Sequence, residues 1–264
     1  LYLLIMFSKK LKPVFVENTN LIRIGPKRDG GYVLDKRIIN KIDHIITCGL
    51  SDDWEFEKEF NNMNDKVKIL AYDHTVDTNF WIRRFFNDLI GLFLLKKLKI
   101  WKIIKILQYI DYRNFFSKKN QHLKLMISDK NISNQQITIK KILSKRKNVL
   151  LKVDIEGAEY KILKDILSNY KKINCLIIEF HSVRENLDKI YNFVDKIKNL
   201  KLIHIHGNNI NKLDSSGYPY ALELTFVNSK KIKYKNKKNL KKYPIANIDY
   251  PSVKRNEDIN LIFN

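Results

Sequence analysis

The chain has 264 residues, 44% of them hydrophobic, which excludes a disordered protein and gives room for one large or two small domains with a real core. Its two cysteines, Cys48 and Cys175, lie in apolar runs without CxxC spacing, which argues against a disulfide framework or a zinc ribbon and points to a reducing cytoplasm. The net charge of +22 comes from 41 Lys and only 9 Arg against 28 acidic residues, and Lys, Asn and Ile make up 106 residues, so an AT-rich coding background explains it better than nucleic-acid binding, which favours Arg.

The opening run Leu1–Phe7 is too short for a membrane span or a secretory signal, and both Leu1 and Met6 stand as candidate starts. Residues 1–43 read as an N-terminal extension containing Asp29-Gly30-Gly31-Tyr32. A strand at His44–Cys48, a helix at Trp54–Asn64 and a strand at Val67–Tyr72 follow. Residues 77–117 form a mostly helical insertion. Its apolar stretch Leu89–Leu95 is too short to span a bilayer.

From Leu98 to Ile110, Ile100, Ile103, Ile104, Leu107 and Ile110 share a face opposite Lys99, Lys102 and Lys105. Such a helix either caps the domain or makes peripheral contact with a membrane surface. Then come a strand at His122–Ile127, a helix at Thr138–Lys145, a strand at Val149–Val153 and a helix at Ala158–Leu167. A strand at Asn174–Phe180 leads to a helix carrying Leu187, Ile190, Tyr191, Val194 and Ile197 on one face. Strands at Leu202–Ile205 and Ala221–Val227 precede a basic tail, 228–264, whose Ser229–Lys242 reads as a solvated edge or loop.

Alternating helices and strands, some continuously apolar, predict one α/β domain with a doubly wound, Rossmann-like sheet. Ligands of such folds bind beyond the carboxyl ends of the strands. There the sequence gathers polar groups: Gly49–Glu57, Asp73, Ser128–Asp129, Asp154–Glu159, Glu179 with His181, and His204–Asn209. A carboxylate ending the second strand, as Asp73 does, suits the hydroxyls of a ribose. The first loop has one glycine and no GxGxxG, so a nucleoside without a pyrophosphate fits better, and S-adenosylmethionine is the common one.

The segment Asp154-Ile-Glu-Gly-Ala-Glu159 closely resembles the DxEGxE motif of FkbM-type S-adenosylmethionine-dependent methyltransferases. Arg23-Ile-Gly through Asp29-Gly-Gly-Tyr32 and the loop Gly49-Leu-Ser-Asp-Asp-Trp-Glu-Phe-Glu57 resemble one branch of that family, and the resemblance runs from Leu21 to Asn228. It implies a seven-stranded methyltransferase sheet with the last strand antiparallel, and methyl transfer to oxygen, often on sugars or polyketides. It also implies cofactor contacts: Gly49 and Ser51 near the methionine end, Asp73 at the ribose, Asp129 at the adenine, Asp154 beside the reacting end, and Gly30, Gly31 and Tyr32 closing over it.

Methyl transfer to a hydroxyl needs a base or a metal. Three readings remain open. One of His181 or His206, expected at the ends of adjacent strands beside Asp154, acts as base with Asp154 or Glu179 orienting it; or Asp154, His181 and His206 hold a divalent metal; or the histidines are structural. The leading expectation is an O-methyltransferase acting on a small-molecule or glycan acceptor, cytoplasmic or peripheral at the inner membrane face. An RNA or DNA methyltransferase is the alternative that the charge favours, but the sequence has no (D/N)PP(Y/F) motif and no catalytic cysteine motif. A non-catalytic membrane-surface module leaves the crowded strand ends unexplained.

Overall fold

The structure, a computed structural model, describes residues 6–94, 100–211 and 213–264. In chain order the strands are β1 Met6–Phe7, β2 Leu21–Ile24, β3 Tyr32–Asp35, β4 His44–Cys48, β5 Lys68–Tyr72, β6 Gln121–Leu123, β7 Met126–Ile127 and β8 Gln136–Ile137. They continue with β9 Val149–Val153, β10 Ile173–His181, β11 Leu200–Asn208, β12 Ala221–Asn228 and β13 Ile262–Phe263. The helices are α1 Glu55–Met63, α2 Thr78–Leu94, α3 Ile100–Phe115, α4 Ile139–Leu143, α5 Glu159–Asn169 and α6 Leu187–Lys196.

Seven strands form one sheet in the order β11-β12-β10-β9-β4-β5-β6. Neighbours are parallel from β10 to β6, while β12, the last strand of this sheet in the chain, runs antiparallel between β10 and β11. The expected Rossmann-like sheet with an antiparallel last strand is therefore present. Its central strands β9 and β10 are buried along their whole length; α5 packs on β10, and β3 lies against β11 and β12. Helix α4 starts where the Thr138 hydroxyl accepts from the Lys141 amide and caps it.

Three expectations change or sharpen. The expected strand His122–Ile127 divides: Leu123 ends the sheet strand, and Met126–Ile127 pairs with β8 in a separate ribbon. The Leu125 amide donates back to the Leu123 carbonyl, so the chain leaves the sheet there. Second, the basic tail 228–264 packs onto the domain beyond the largely exposed Ser229–Lys242. Tyr243, Ile245, Ile259 and Leu261 are buried, and β13 pairs with β1. Its lysines face water while every few residues an apolar side chain turns inward, a spacing that the lysine content masks. Third, β10 and β11 are not neighbours, because β12 inserts between them.

The apolar runs Leu1–Phe7 and Leu89–Leu95 and the amphipathic stretch from Leu98 fall largely on residues or side chains outside those described. Among the described residues, no helix is long and apolar enough to cross a membrane.

Candidate active site

Strain concentrates at the carboxyl edge of the sheet. Ser51 after β4, Glu156 after β9 and Ser182 after β10 all have positive φ without being glycine (52°, 52° and 48°), the kind of cost that folds retain at working sites. The loops there are also pressed together. Gly49 has φ +84°, and a Cβ on it would lie 1.7 Å from the Asp154 carbonyl oxygen. Gly49→Ala is expected to cost at least about 2 kcal/mol through strain and overpacking. A thermal melt checks this, and an unchanged midpoint would mean that the two loops do not meet.

At the ends of β9 and β10 the motif Asp154–Glu159 closes on His181. Glu159, fully buried at the first turn of α5, accepts from the Gly157 amide (2.9 Å), from the His181 amide (2.7 Å) and from His181 Nδ1 (3.1 Å). A carboxylate only accepts, so the ring hydrogen sits on Nδ1 and leaves Nε2 as the basic nitrogen. That Nε2 faces Glu156 at 3.5 Å and Asp154 and Glu179 at 3.8 Å each. Burial lowers the His181 pKa, but Glu159, Asp154 and Glu156 outweigh it and the net shift is upward.

Asp154 is pushed up to about 6 by burial, against the pull of Lys152 and His181. Glu179 is raised well above the usual carboxylate range by burial and by the charges of Asp154, Glu223 and Asp29. These groups line a cavity of about 120 Å³ with Asp29, Asn208 and Tyr220. Asn208 joins its far side by donating to Glu179 (3.0 Å) and Asp29 (3.1 Å). Tyr32 reaches in from β3, donating to Asp154 at 3.4 Å. One layer below, the buried Lys152 is held by Glu57 (3.4 Å), which also accepts from Thr47 (2.6 Å).

His206 lies elsewhere. With β12 in between, it lines up with Glu223, which in turn pairs with Glu179 across the sheet. Its Nδ1 is 3.2 Å from Glu223 and its Nε2 3.0 Å from Asp258, and it is 1% exposed. Burial lowers its pKa, but the two carboxylates overcome this and raise it to about 10. Both ring nitrogens are spent, so His206 is a buried cation locking the C-terminal segment onto β11. Among the described residues, the side chains spaced to share a metal ion are Asp154, Glu156 and His181, with Glu156 in the place expected for His206. His204 packs below, bonded to Asp249 at 3.1 Å.

The first-loop residues meet Asp73 rather than open space. One Asp73 oxygen accepts from the Leu50 and Ser51 amides, the other from the Thr75 amide and hydroxyl. These bonds hold its pKa below the ordinary value despite burial. The carboxylate expected at the ribose thus fastens the loop. Gly30 and Gly31 form the β2–β3 turn, where a Cβ on Gly31 would lie 2.2 Å from the Pro26 carbonyl oxygen. Asp129 is exposed past β7, because the chain has already left the sheet.

Beyond β5 and β6 lies a cavity of about 380 Å³ walled by Trp81, Tyr109, Tyr112, Phe116 and His122, within the range of small-molecule sites. The Trp81 indole nitrogen is buried with no partner among the described residues. Sequence reasoning missed this aromatic wall and the orienting role of Glu159. Asp29 and Asn208 stood within the Asp29–Tyr32 and His204–Asn209 segments but had no role assigned.

Residues 106–207 match the family model of the methyltransferase FkbM domain. Over that segment the chain is similar to the FkbM methyltransferase domain, and it is a methyltransferase. The matched segment of the FkbM-type domain includes Asp154–Glu159 and His181, and stops short of the Tyr32 and Gly49 segments that complete the site. No curated relative matches the chain.

Solved structures similar to it include a fibrillarin/Nop5p complex (11% identity, 71% of this chain, 73% of that chain, TM-score 0.38). A precorrin-6y C5,15-methyltransferase from Geobacter metallireducens is also similar (9%, 73% and 84%, 0.38). So is a putative methyltransferase from Streptococcus mutans in complex with SAH (11%, 73% and 96%, 0.35).

Proposed function

We propose that the enzyme transfers a methyl group from S-adenosylmethionine to a hydroxyl of a sugar or sugar-derived acceptor, such as a surface-glycan unit. The observation that carries this is the 120 Å³ cavity, whose lining among the described residues includes Asp29, Asp154, Glu156, Glu179, Asn208 and His181 and no lysine or arginine. Acidic and amide side chains hydrogen-bond hydroxyls, and such a lining offers no permanent cation to neutralise a phosphate backbone, which disfavours the nucleic-acid reading. Buried, free Cys48 and Cys175 support a reducing, cytoplasmic setting.

S-adenosylmethionine supplies an electrophilic methyl on a sulfonium. The acceptor oxygen forms the new bond to that carbon as the carbon–sulfur bond breaks and its electron pair stays on sulfur, giving S-adenosylhomocysteine. His181 Nε2 takes the hydroxyl proton, with Glu159 holding the ring in the productive tautomer. Asp154 and Glu179 orient the hydroxyl. The nucleoside suits the aromatic cavity walled by Trp81, Tyr109, Tyr112 and Phe116.

A second reading places a divalent cation between Asp154, Glu156 and His181, favoured by ligand atoms all within 4.8 Å of one another. There the cation, not the imidazole, would lower the hydroxyl pKa. Activity abolished by chelator and restored by added metal selects this reading, and activity indifferent to chelator selects the base. Calorimetry with S-adenosylmethionine tests the whole proposal. Saturable binding is expected, and no binding at millimolar cofactor would overturn it.

A further inference from the structure

Helices α2 and α3 pack against each other as a two-helix arm, and Tyr112 of α3 meets His122 of the edge strand β6. The base of the arm is fastened to the core: Asp111 of α3 accepts from the Trp54 indole (3.0 Å) and pairs with Lys58 of α1 (2.8 Å), and Arg84 of α2 pairs with Asp52 of the first loop. Past that base the arm exposes large apolar side chains. On α2, Ile82, Phe85, Phe86 and Ile90 recur at helical spacing and are 44–54% exposed. On α3, Tyr109 and Ile110 are exposed as well. Large apolar side chains exposed together at helical spacing mark a contact surface.

Charge says which contact. The stretch 77–117 holds eight Lys and Arg against three Asp, with Lys96, Lys97, Lys99, Lys102 and Lys105 in and around the segment that links the helices. Trp101 and the apolar residues of 89–107 interleave with them in sequence. A second copy of this chain would bring two positively charged arms, each on a +22 protein, against one another. A surface that buries aromatic and aliphatic side chains while meeting lysines with negative charge is the interface of an anionic bilayer.

We propose that the α2–α3 arm docks the enzyme on an anionic membrane surface. This goes beyond the acceptor reading and does not depend on it. Docking would hold the catalytic edge of the sheet close to a surface at which a lipid-borne acceptor is presented, while the sheet itself stays in water.

The test is co-sedimentation of the full chain with phosphatidylcholine vesicles, with and without phosphatidylglycerol, at low and high salt. Binding is expected to the anionic vesicles, to weaken with salt, and to fall by about tenfold or more in the triple variant Phe85→Ser, Phe86→Ser, Ile90→Ser. These positions are exposed, so the variant should keep the wild-type melting midpoint. If it does not, the charge variant Lys99→Glu, Lys102→Glu, Lys105→Glu gives the same readout without touching an apolar residue. No binding to anionic vesicles, or binding that neither variant weakens, overturns the proposal. So does a concentration-dependent dimer that the serine variant abolishes, which would make a second copy the occupant. Binding of RNA that the serine variant abolishes, with vesicles left unbound, overturns it as well.

Discussion

Replacing His206 with alanine is expected to destabilise the protein by about 3–5 kcal/mol, because the buried Glu223 and the half-buried Asp258 would remain without their cation. At about 2–4 °C per kcal/mol for a chain of this size, the melting midpoint should fall by about 10 °C. The pH dependence follows from the direction of the shift. The folded pKa of about 10 lies above the ordinary value of 6.5. The stabilisation is therefore complete below about pH 6.5 and is lost as pH rises through about 10. The gap between wild type and variant should narrow over that range. A variant that melts with wild type but loses turnover would return His206 to the chemistry.

The second large effect belongs to His181. His181→Ala is expected to lower turnover by about 10²–10⁴-fold, the usual worth of a positioned base. Affinity for S-adenosylmethionine should hardly change, since the aromatic cavity lies beyond β5 and β6, away from the ends of β9 and β10. Glu159 keeps its bonds from the Gly157 and His181 amides in the variant, so the backbone of the site should survive. Binding calorimetry beside turnover separates the outcomes. A matching loss of cofactor affinity, or unchanged turnover, would contradict the role assigned to the imidazole.

The two histidines show how far the sequence carries. Both stand at polar strand ends in recognisable motifs, and nothing local distinguishes them. What separates them is the strand order: β12 is contributed from 221–228, after both histidines, and slides between their strands. Periodicity gives the strands and the helix faces, and most of the sheet was legible because its apolar runs are uninterrupted. Long-range order is not written in any one run.

Asp73 makes the same point at finer scale. Its place at the end of β5 was correctly read, yet four donors from Leu50, Ser51 and Thr75 consume its carboxylate, and loop geometry of that kind has no sequence period. Glu159 is the reverse case. Its motif marked it, and burial against His181 supplies the physical reason. The aromatic wall of Trp81 and Tyr112 was hidden because the insertion reads as an amphipathic helix whether its rings face a core, a ligand or a membrane.

The measurement that bears most directly on the account is a crystal structure with S-adenosylhomocysteine bound and a divalent cation soaked in. The account places the nucleoside against Trp81 and the sulfur at the mouth of the Asp154–Glu179–His181 cavity. That leaves room for an acceptor oxygen about 3–3.5 Å from the transferable methyl and within reach of His181 Nε2. A nucleoside seated elsewhere, or a sulfur turned away from that cavity, would contradict it.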